Sequence, residues 1–333
     1  MALLCSLAVT SCSSAHHRAA ATTSAPSPPT SAAPSSEAPA PVPAPAINPL
    51  TGGKPSKNSV VAVKIEDTAL GRPQRGIDDA DLVYIEQVEG GLTRLLAIFN
   101  SKLPVVEPVR STRANDPELA EEFGPIDYVA SGGSHAELAP LDHSDLRADI
   151  NDRGGPGFSR DPGRIAPNNL RADLAAIAAK LKGPQARSIG LVWSARLTAT
   201  HTRPGTTVRT TVGGTPIVFE WRPAMHRYVR IIGGAVQRAA DGHTIATPNV
   251  IVQFCRSTVY TKDRDILGNP AQYTHTIGSG KVVVFRDGRR IDGTWHRKAL
   301  HDGTTLTDGS GRPIALSPGG AWFVLTATGT RLD

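Results

Sequence analysis

From Val60 onward the chain alternates between short apolar runs and turn residues. VVAVKIED, DLVYIEQV and TRLLAIFNS are rich in β-branched residues, are bounded by Gly, Pro and Asp, and each reads as a strand. Helical pieces follow. Asp116-Pro117-Glu118 ahead of LAEEF supplies a capping Asp, Pro at the first helical position and an acidic first turn. NNLRADLAAIAAKLKG repeats Leu, Ile and Ala with helical period and stops at Gly183-Pro184. Strands interleaved with helices predict an α/β domain over residues 47–187.

The texture changes near Ser188. GLVWSA, TTVRTTVGG, TPIVFEWRP, HRYVRIIGG, NVIVQFCRSTVY, KVVVFRDGRRIDGTWHR and AWFVLTA alternate apolar with polar residues, and Gly-Gly, Asp-Gly and Pro turns separate them. Residues 188–333 therefore predict a mainly antiparallel β-domain, with its sharpest hairpin signal at Phe285-Arg286-Asp287-Gly288-Arg289-Arg290. Trp193, Trp221, Trp295 and Trp322 are expected in its core, the usual place for strand tryptophans.

The first 46 residues follow neither pattern. MALLCSLAVTSCSS carries a short apolar stretch into small residues directly before Cys12, which predicts a lipoprotein signal over 1–12 with Cys12 as the lipidated residue. No Lys or Arg precedes the apolar run, so the true start is expected upstream. Two or three acyl chains at about 0.8 kcal/mol per buried CH₂ would anchor the protein durably. Residues 13–46 are almost entirely Ala, Pro, Ser and Thr, and cannot bury enough apolar surface to offset their ordering entropy. They predict a disordered tether; at roughly 3.1 Å per residue it reaches on the order of 100 Å. His16 and His17 are read as solvated within it.

Cysteine and charge narrow the function classes. Cys5 leaves with the signal and Cys12 is lipidated, so Cys255 stands alone; inside NVIVQFCRSTVY it reads as a small strand residue, not a nucleophile. A net charge of +6 with 5% aromatics and no basic stripe argues against nucleic acid. The expected location is the extracytoplasmic face of a bacterial cell membrane.

The order of segments is itself informative. NPLTG, VAVKIED, RPQRGIDDADLVYIEQVEGGLTRLLAIF, EPVRSTR, SGGS and APNNL together resemble the N-terminal domain of the YerB-like lipoprotein family, a domain of unknown function. NVIVQF, GSGKVVVFRDGRRIDGTWHR and GRPIALSPGGAWFVL resemble its smaller C-terminal domain, and the resemblance covers about Asn48 to Leu325. Glu107 stands where related sequences tend to carry Gly. The resemblance implies an envelope lipoprotein and supplies no reaction.

Candidate chemistry gathers in the first domain. Arg72, Arg75, Arg94, Arg110 and Arg113 fall in loops or at strand ends, and several guanidinium forks together can clamp a carboxylate or phosphate. Singly, each is expected to pair with a nearby acid: Asp67, Asp78, Asp79, Asp81, Glu86 or Glu89. RSTR, with Ser111 and Thr112 between two arginines, leaves anion binding and salt bridging both open. Glu66-Asp67 ends a strand, where open α/β sheets place their sites. Glu86 and Glu89, three apart on a strand, point to opposite faces and form no carboxylate dyad. Glu89 reads as an arginine or N–H partner, with general base as the alternative. Ser131-Gly132-Gly133-Ser134-His135 reads as a nest of N–H donors beside a histidine; without G-x-S-x-G it is no serine hydrolase. Gly278-Ser279-Gly280-Lys281 lacks phosphate-loop spacing, the histidines lack metal spacing, and neither cofactor nor metal is expected.

Two functions follow. The first is a tethered, noncatalytic protein that binds a wall component or regulates a wall enzyme. The second is an enzyme acting on a phosphorylated or pyrophosphorylated wall precursor, with Arg110 and Arg113 neutralising phosphoryl charge and Asp67 or Glu89 holding a metal ion. Its strand pair and arginine loop are weakly similar in spacing to the LytR-CpsA-Psr ligases.

Overall fold

The three apolar segments that open the folded part become neighbouring strands: β1 (Val61–Glu66), β2 (Leu82–Gln87) and β3 (Thr93–Phe99). β3 lies between the other two and is antiparallel to both, with Lys64 opposite Leu96 and Tyr84 opposite Leu96. This computed structural model describes residues 46–333. The expected signal, Cys12, His16, His17 and the tether through residue 45 lie outside the described residues.

Beyond β3 the chain forms a short helix α1 (Asp116–Ala120), β4 (Asp127–Ala130), α2 (His135–Asp142), β5 (Arg147–Ile150), β6 (Leu170–Asp173) and α3 (Leu174–Leu181). β4 runs parallel to β1, and β5 parallel to β4. The α/β character expected of the first half is present, with two local differences. The segment expected to be one helix from Asn168 begins as β6, because Leu170–Asp173 pair with strands at 105–106 and 158–160. The helix starts only where Asp173 accepts a hydrogen bond from Ala176 N. Asp116 begins α1 but does not cap it; its carboxylate turns back to the Arg113 N–H and to Lys64.

The second half is built of strands. β7 (Thr207–Val212), β8 (Thr215–Arg222) and β9 (Arg227–Ile232) form an antiparallel meander within a five-stranded sheet. β10 (Asn249–Arg264) forms a long hairpin with β11 (Pro270–His275). β12 (Gly278–Arg286) and β13 (Arg289–Arg297) meet at Asp287-Gly288, both with positive φ, which is the two-residue turn that a tight right-twisted hairpin requires. β14 (Ala321–Ala327) closes the fold, lying parallel to both β10 and β2.

That last strand inserts between elements from the two halves, so one twelve-stranded sheet runs through residue pairs on both sides of positions 187 and 188. The described residues, 46–333, form a single compact unit. Side-chain alternation divides the core into two layers. On one face of the sheet Val61, Val63, Ile65, Val83, Ile85, Leu95 and Ala97 pack against Val208, Ile217, Phe219 and Tyr228 of the smaller sheet. On the other, Ala62, Leu82, Tyr84, Leu96 and Ile98 pack against Phe123, Tyr128, Ile251, Val284 and Phe323. Full burial of such a Val, Leu or Ile is worth about 1.5–3 kcal/mol each. Trp295 and Trp322 join the core, whereas Trp193 and Trp221 are half-buried beside it. Cys255 is buried, and burial pushes its thiol up to about 12, out of nucleophile range.

Candidate functional site

The second of these two faces changes chemistry along its length. Ala62, Lys64 and Glu66 follow one another on β1; opposite them β3 offers Ile98, Leu96 and Arg94, and β2 offers Leu82, Tyr84 and Glu86. The apolar layer thus gives way to four charged residues at one end of three adjacent strands. Cross-strand partners share a face, which is why Glu66, Arg94 and Glu86 belong to one layer.

The inner part of this ionic layer is closed. Lys64 Nζ donates to Glu86 and to Asp116, the latter at 2.6 Å, and all three side chains are fully buried. Asn115 donates to the other Glu86 oxygen at 2.9 Å. The second Asp116 oxygen accepts from Tyr128 OH, Thr112 Oγ1 and the Arg113 N–H at 2.5, 3.0 and 2.7 Å. Burial raises the Glu86 pKa despite Lys64; for Asp116 the opposing burial effect is outweighed by Lys64 and its hydrogen bonds, which hold it below the usual range. This network fixes the Arg110–Arg113 loop from beneath.

The outer part opens into a cleft of about 610 Å³ whose charged lining is Glu66, Glu89, Arg94, Arg110, Arg113 and Asp265. Arg110 Nε donates to Glu66 at 2.7 Å. Glu66 also accepts from the backbone N–H groups of Asp67 and Thr68, both at 3.0 Å. Burial opposes its ionisation, yet Arg94, Arg110 and those N–H groups together keep its pKa low. Arg113 is doubly occupied: it meets Glu89 at 2.5 Å and Glu137 at 2.8 Å. Burial works against its charge and the two carboxylates more than restore it.

Arg94 is different. Its residue is only 8% exposed, its Nη1 donates to the Ser111 carbonyl at 3.2 Å, and its buried Nε has no hydrogen-bond partner. Among the described residues no carboxylate comes within 4.0 Å of its guanidinium, although two do so for Arg113. Burial, with Arg113 and Arg110 nearby, brings its pKa down to about 10 against the longer-range pull of Glu66 and Glu89. It stays charged at neutral pH. A buried cation so poorly partnered is costly, and that cost is what an incoming anion would relieve.

The remaining residues singled out in the sequence fall elsewhere. Asp67 turns to the opposite face from Glu66 and forms a two-pronged pair with Arg230 of β9, both bonds 2.7 Å, while accepting from Thr93 at 2.7 Å. It fastens the smaller sheet to the larger and has no oxygen free for a metal. Arg72 bonds the Thr68 carbonyl at 3.2 Å, and the exposed Arg75 stands 3.8 Å from Glu107; neither lines the cleft. Glu107 accepts from Arg171 at 3.0 Å. Ser111 contributes only its carbonyl. Ser134 closes a capping box with Glu137 at the start of α2, so the loop read as a nest is a helix start, and His135 beside it is exposed. Ser134 thereby holds Glu137, whose pKa burial raises to about 7 in spite of Arg113.

Sequence reasoning missed Glu137 and Asp263. Carboxylate oxygens of Glu89, Glu137 and Asp263 lie within 4.8 Å of one another around Arg113. The Ser134-x-x-Glu137 spacing signals the cap in the sequence; nothing signals the approach of Asp263, from β10. A larger cleft of about 750 Å³ sets Lys54, Lys57, Lys102 and Arg227 against Asp78, Asp79 and Asp81 in its walls, and Lys102 already meets Asp79 at 2.5 Å. It offers no unpaired basic group comparable to Arg94.

Comparison with known proteins places the fold in context. The N-terminal domain model of a protein family of unknown function, DUF3048, matches residues 50–196, and the C-terminal domain model of the same family matches 207–323. A curated protein named "Putative lipoprotein YerB" from Bacillus subtilis (strain 168) is 41% identical over 91 residues, which are 26% of this chain and 27% of that protein. The matched stretch therefore spans about a quarter of the relative's length. The crystal structure of the YerB protein from Bacillus subtilis superposes with a TM-score of 0.71, covering 86% of this chain and 99% of that one at 22% identity, and so shares the fold.

Proposed function

The chain belongs to the DUF3048 family of unknown function, and from that premise we propose that it is a lipid-anchored extracytoplasmic protein whose head binds an anionic ligand of the cell envelope. The apolar run into Cys12, the Ala/Pro/Ser-rich segment after it and the lipoprotein name of the Bacillus relative support the anchor. One observation carries the binding reading: Arg94 lines a cleft, is buried with its Nε unbonded, and makes no salt bridge, whereas Arg110 and Arg113 beside it are already paired. The ligand's phosphate or carboxylate would take the fork of Arg94 first and share Arg110, whose side chain is 20% exposed.

Isothermal calorimetry of the full-length chain with inorganic phosphate, pyrophosphate and muropeptides tests this. Binding that weakens at least about tenfold in Arg94→Gln, the loss expected for a charge-assisted pair, is the expected result; equal binding by both proteins would refute it.

A second reading, an enzyme acting on a phosphorylated wall precursor, draws support from Glu89, whose Oε1 is buried without a hydrogen-bond partner at the same cleft. That oxygen would serve as general base for an attacking water. Release of phosphate from a polyprenyl pyrophosphate, abolished by Glu89→Gln and Arg110→Ala, would favour the enzyme; binding without turnover would favour the binding protein.

A further inference from the structure

The cleft has a second property that its charges do not account for. The four most exposed large apolar side chains among the described residues are Ile266 at 103%, Ile165 at 88%, Leu267 at 82% and Leu70 at 77%. Leu70 lines the cleft, together with the half-exposed Leu92; Ile165 is two residues from the lining Pro167, and Ile266 and Leu267 directly follow the lining Asp265. The four come from three segments far apart in sequence, which the fold brings to one opening.

The walls are tied together. Arg164 donates to the carbonyls of Gly71 at 2.9 Å, Pro73 at 3.3 Å and Leu70 at 3.4 Å, stapling the Ile165 loop to the Leu70 turn. Across the cleft, the tip of the β10–β11 hairpin is held by Asp265, which accepts from the N–H groups of Leu267 and Asn269 at 2.9 and 2.8 Å. Asn269 packs against Gly90, next to the half-exposed Leu92. Isolated exposed apolar residues are ordinary; the four most exposed falling on segments that border one cleft, above a buried arginine that makes no salt bridge, are not.

We infer that the cleft takes an amphiphile, a phosphate-bearing lipid whose anionic head meets Arg94 and whose hydrocarbon chain lies along the rim of Leu70, Ile165, Ile266 and Leu267. This rests on the anion-binding reading and adds the tail to it. A purely water-soluble phosphate would use the floor and leave the rim bare. The lipid uses both, covering apolar side chains that otherwise face water while its head satisfies the buried guanidinium.

The test is a homologous series of alkyl phosphates, methyl to octyl, titrated into the full-length chain carrying Cys12→Ser, which takes no anchor and needs no detergent. Full burial of one methylene is worth about fourfold in affinity, so a chain half covered on an open rim gains about twofold for each one added. The structure predicts that steady rise. It also predicts that Leu70→Ser/Leu267→Ser, at exposed positions that leave the core intact, flattens the series without altering methyl phosphate binding, while Arg94→Gln weakens every member. Methyl and octyl phosphate binding equally would overturn the lipid inference and leave the anion site standing. A rise that persists in the rim variant would overturn it as well. Binding of none of the series would remove both readings together.

Discussion

The two ends of the ionic layer on β1, β2 and β3 contain the same kinds of residue and behave as opposites. At the inner end Lys64, Glu86 and Asp116 satisfy one another, with Asn115, Thr112 and Tyr128 completing the network. At the outer end, level with Glu66 of β1, Arg94 of β3 is nearly as buried and makes no salt bridge. Burial and charge alone therefore do not mark a site. What separates structure from recognition is whether the protein supplies the partner.

Removing a member of each end puts this contrast to the test. Lys64→Met would strand two buried carboxylates and is expected to cost about 3–5 kcal/mol, read as a large fall in the urea midpoint. Arg94→Met removes a buried cation near Arg110 and Arg113, and is expected to leave the midpoint unchanged or raise it by up to about 1 kcal/mol. A loss at Arg94 as large as that at Lys64 would make the two ends alike. Of similar kind to the first, Arg230→Ala breaks the bidentate bond to Asp67 and is expected to cost about 3 kcal/mol in the same assay, because it too leaves a buried charge alone.

The pH dependence of binding sharpens the comparison further. Glu137, facing Arg113, Glu89 and Asp263, titrates near 7. As pH falls through that value it gains a proton, loses its hold on Arg113, and the cleft becomes more positive. Phosphate affinity is expected to rise severalfold from pH 8 to pH 6, once the ligand's own titration is subtracted with a sulfate control. In Glu137→Gln that rise should vanish. The smallest effect is expected at the cap: Ser134→Ala should cost about 1 kcal/mol and loosen the start of α2.

Much of this was legible in the residues. The β-branched content of VAVKIED, DLVYIEQV and TRLLAIFNS, bounded by turn residues, marks the strands, and Asp287-Gly288 marks its hairpin. Arg94, Arg110 and Arg113 stood among the candidates for anion binding. The sequence could not say which of them would be paired, because that depends on register: Arg94 opposite Glu66 and Glu86 is a property of how β3 meets β1 and β2. The two arginines of RSTR, open in the sequence to anion binding or salt bridging, hold Glu66, Glu89 and Glu137, while the strand arginine makes no salt bridge. Helical periodicity in NNLRADLAAI overran Leu170–Asp173, where pairing with two short strands outweighed local propensity. The rim was invisible for a simpler reason. Leu70, Ile165, Ile266 and Leu267 have the composition of core residues, and only the folded chain shows that they face water.

The most direct test is thermal unfolding of the full-length protein and of Arg94→Gln, each with and without inorganic pyrophosphate. If Arg94 is held for a ligand, the two proteins melt together without ligand, and only the wild type gains several degrees when pyrophosphate is added. A variant that melts well below a wild type indifferent to pyrophosphate would make Arg94 a structural residue and contradict the account.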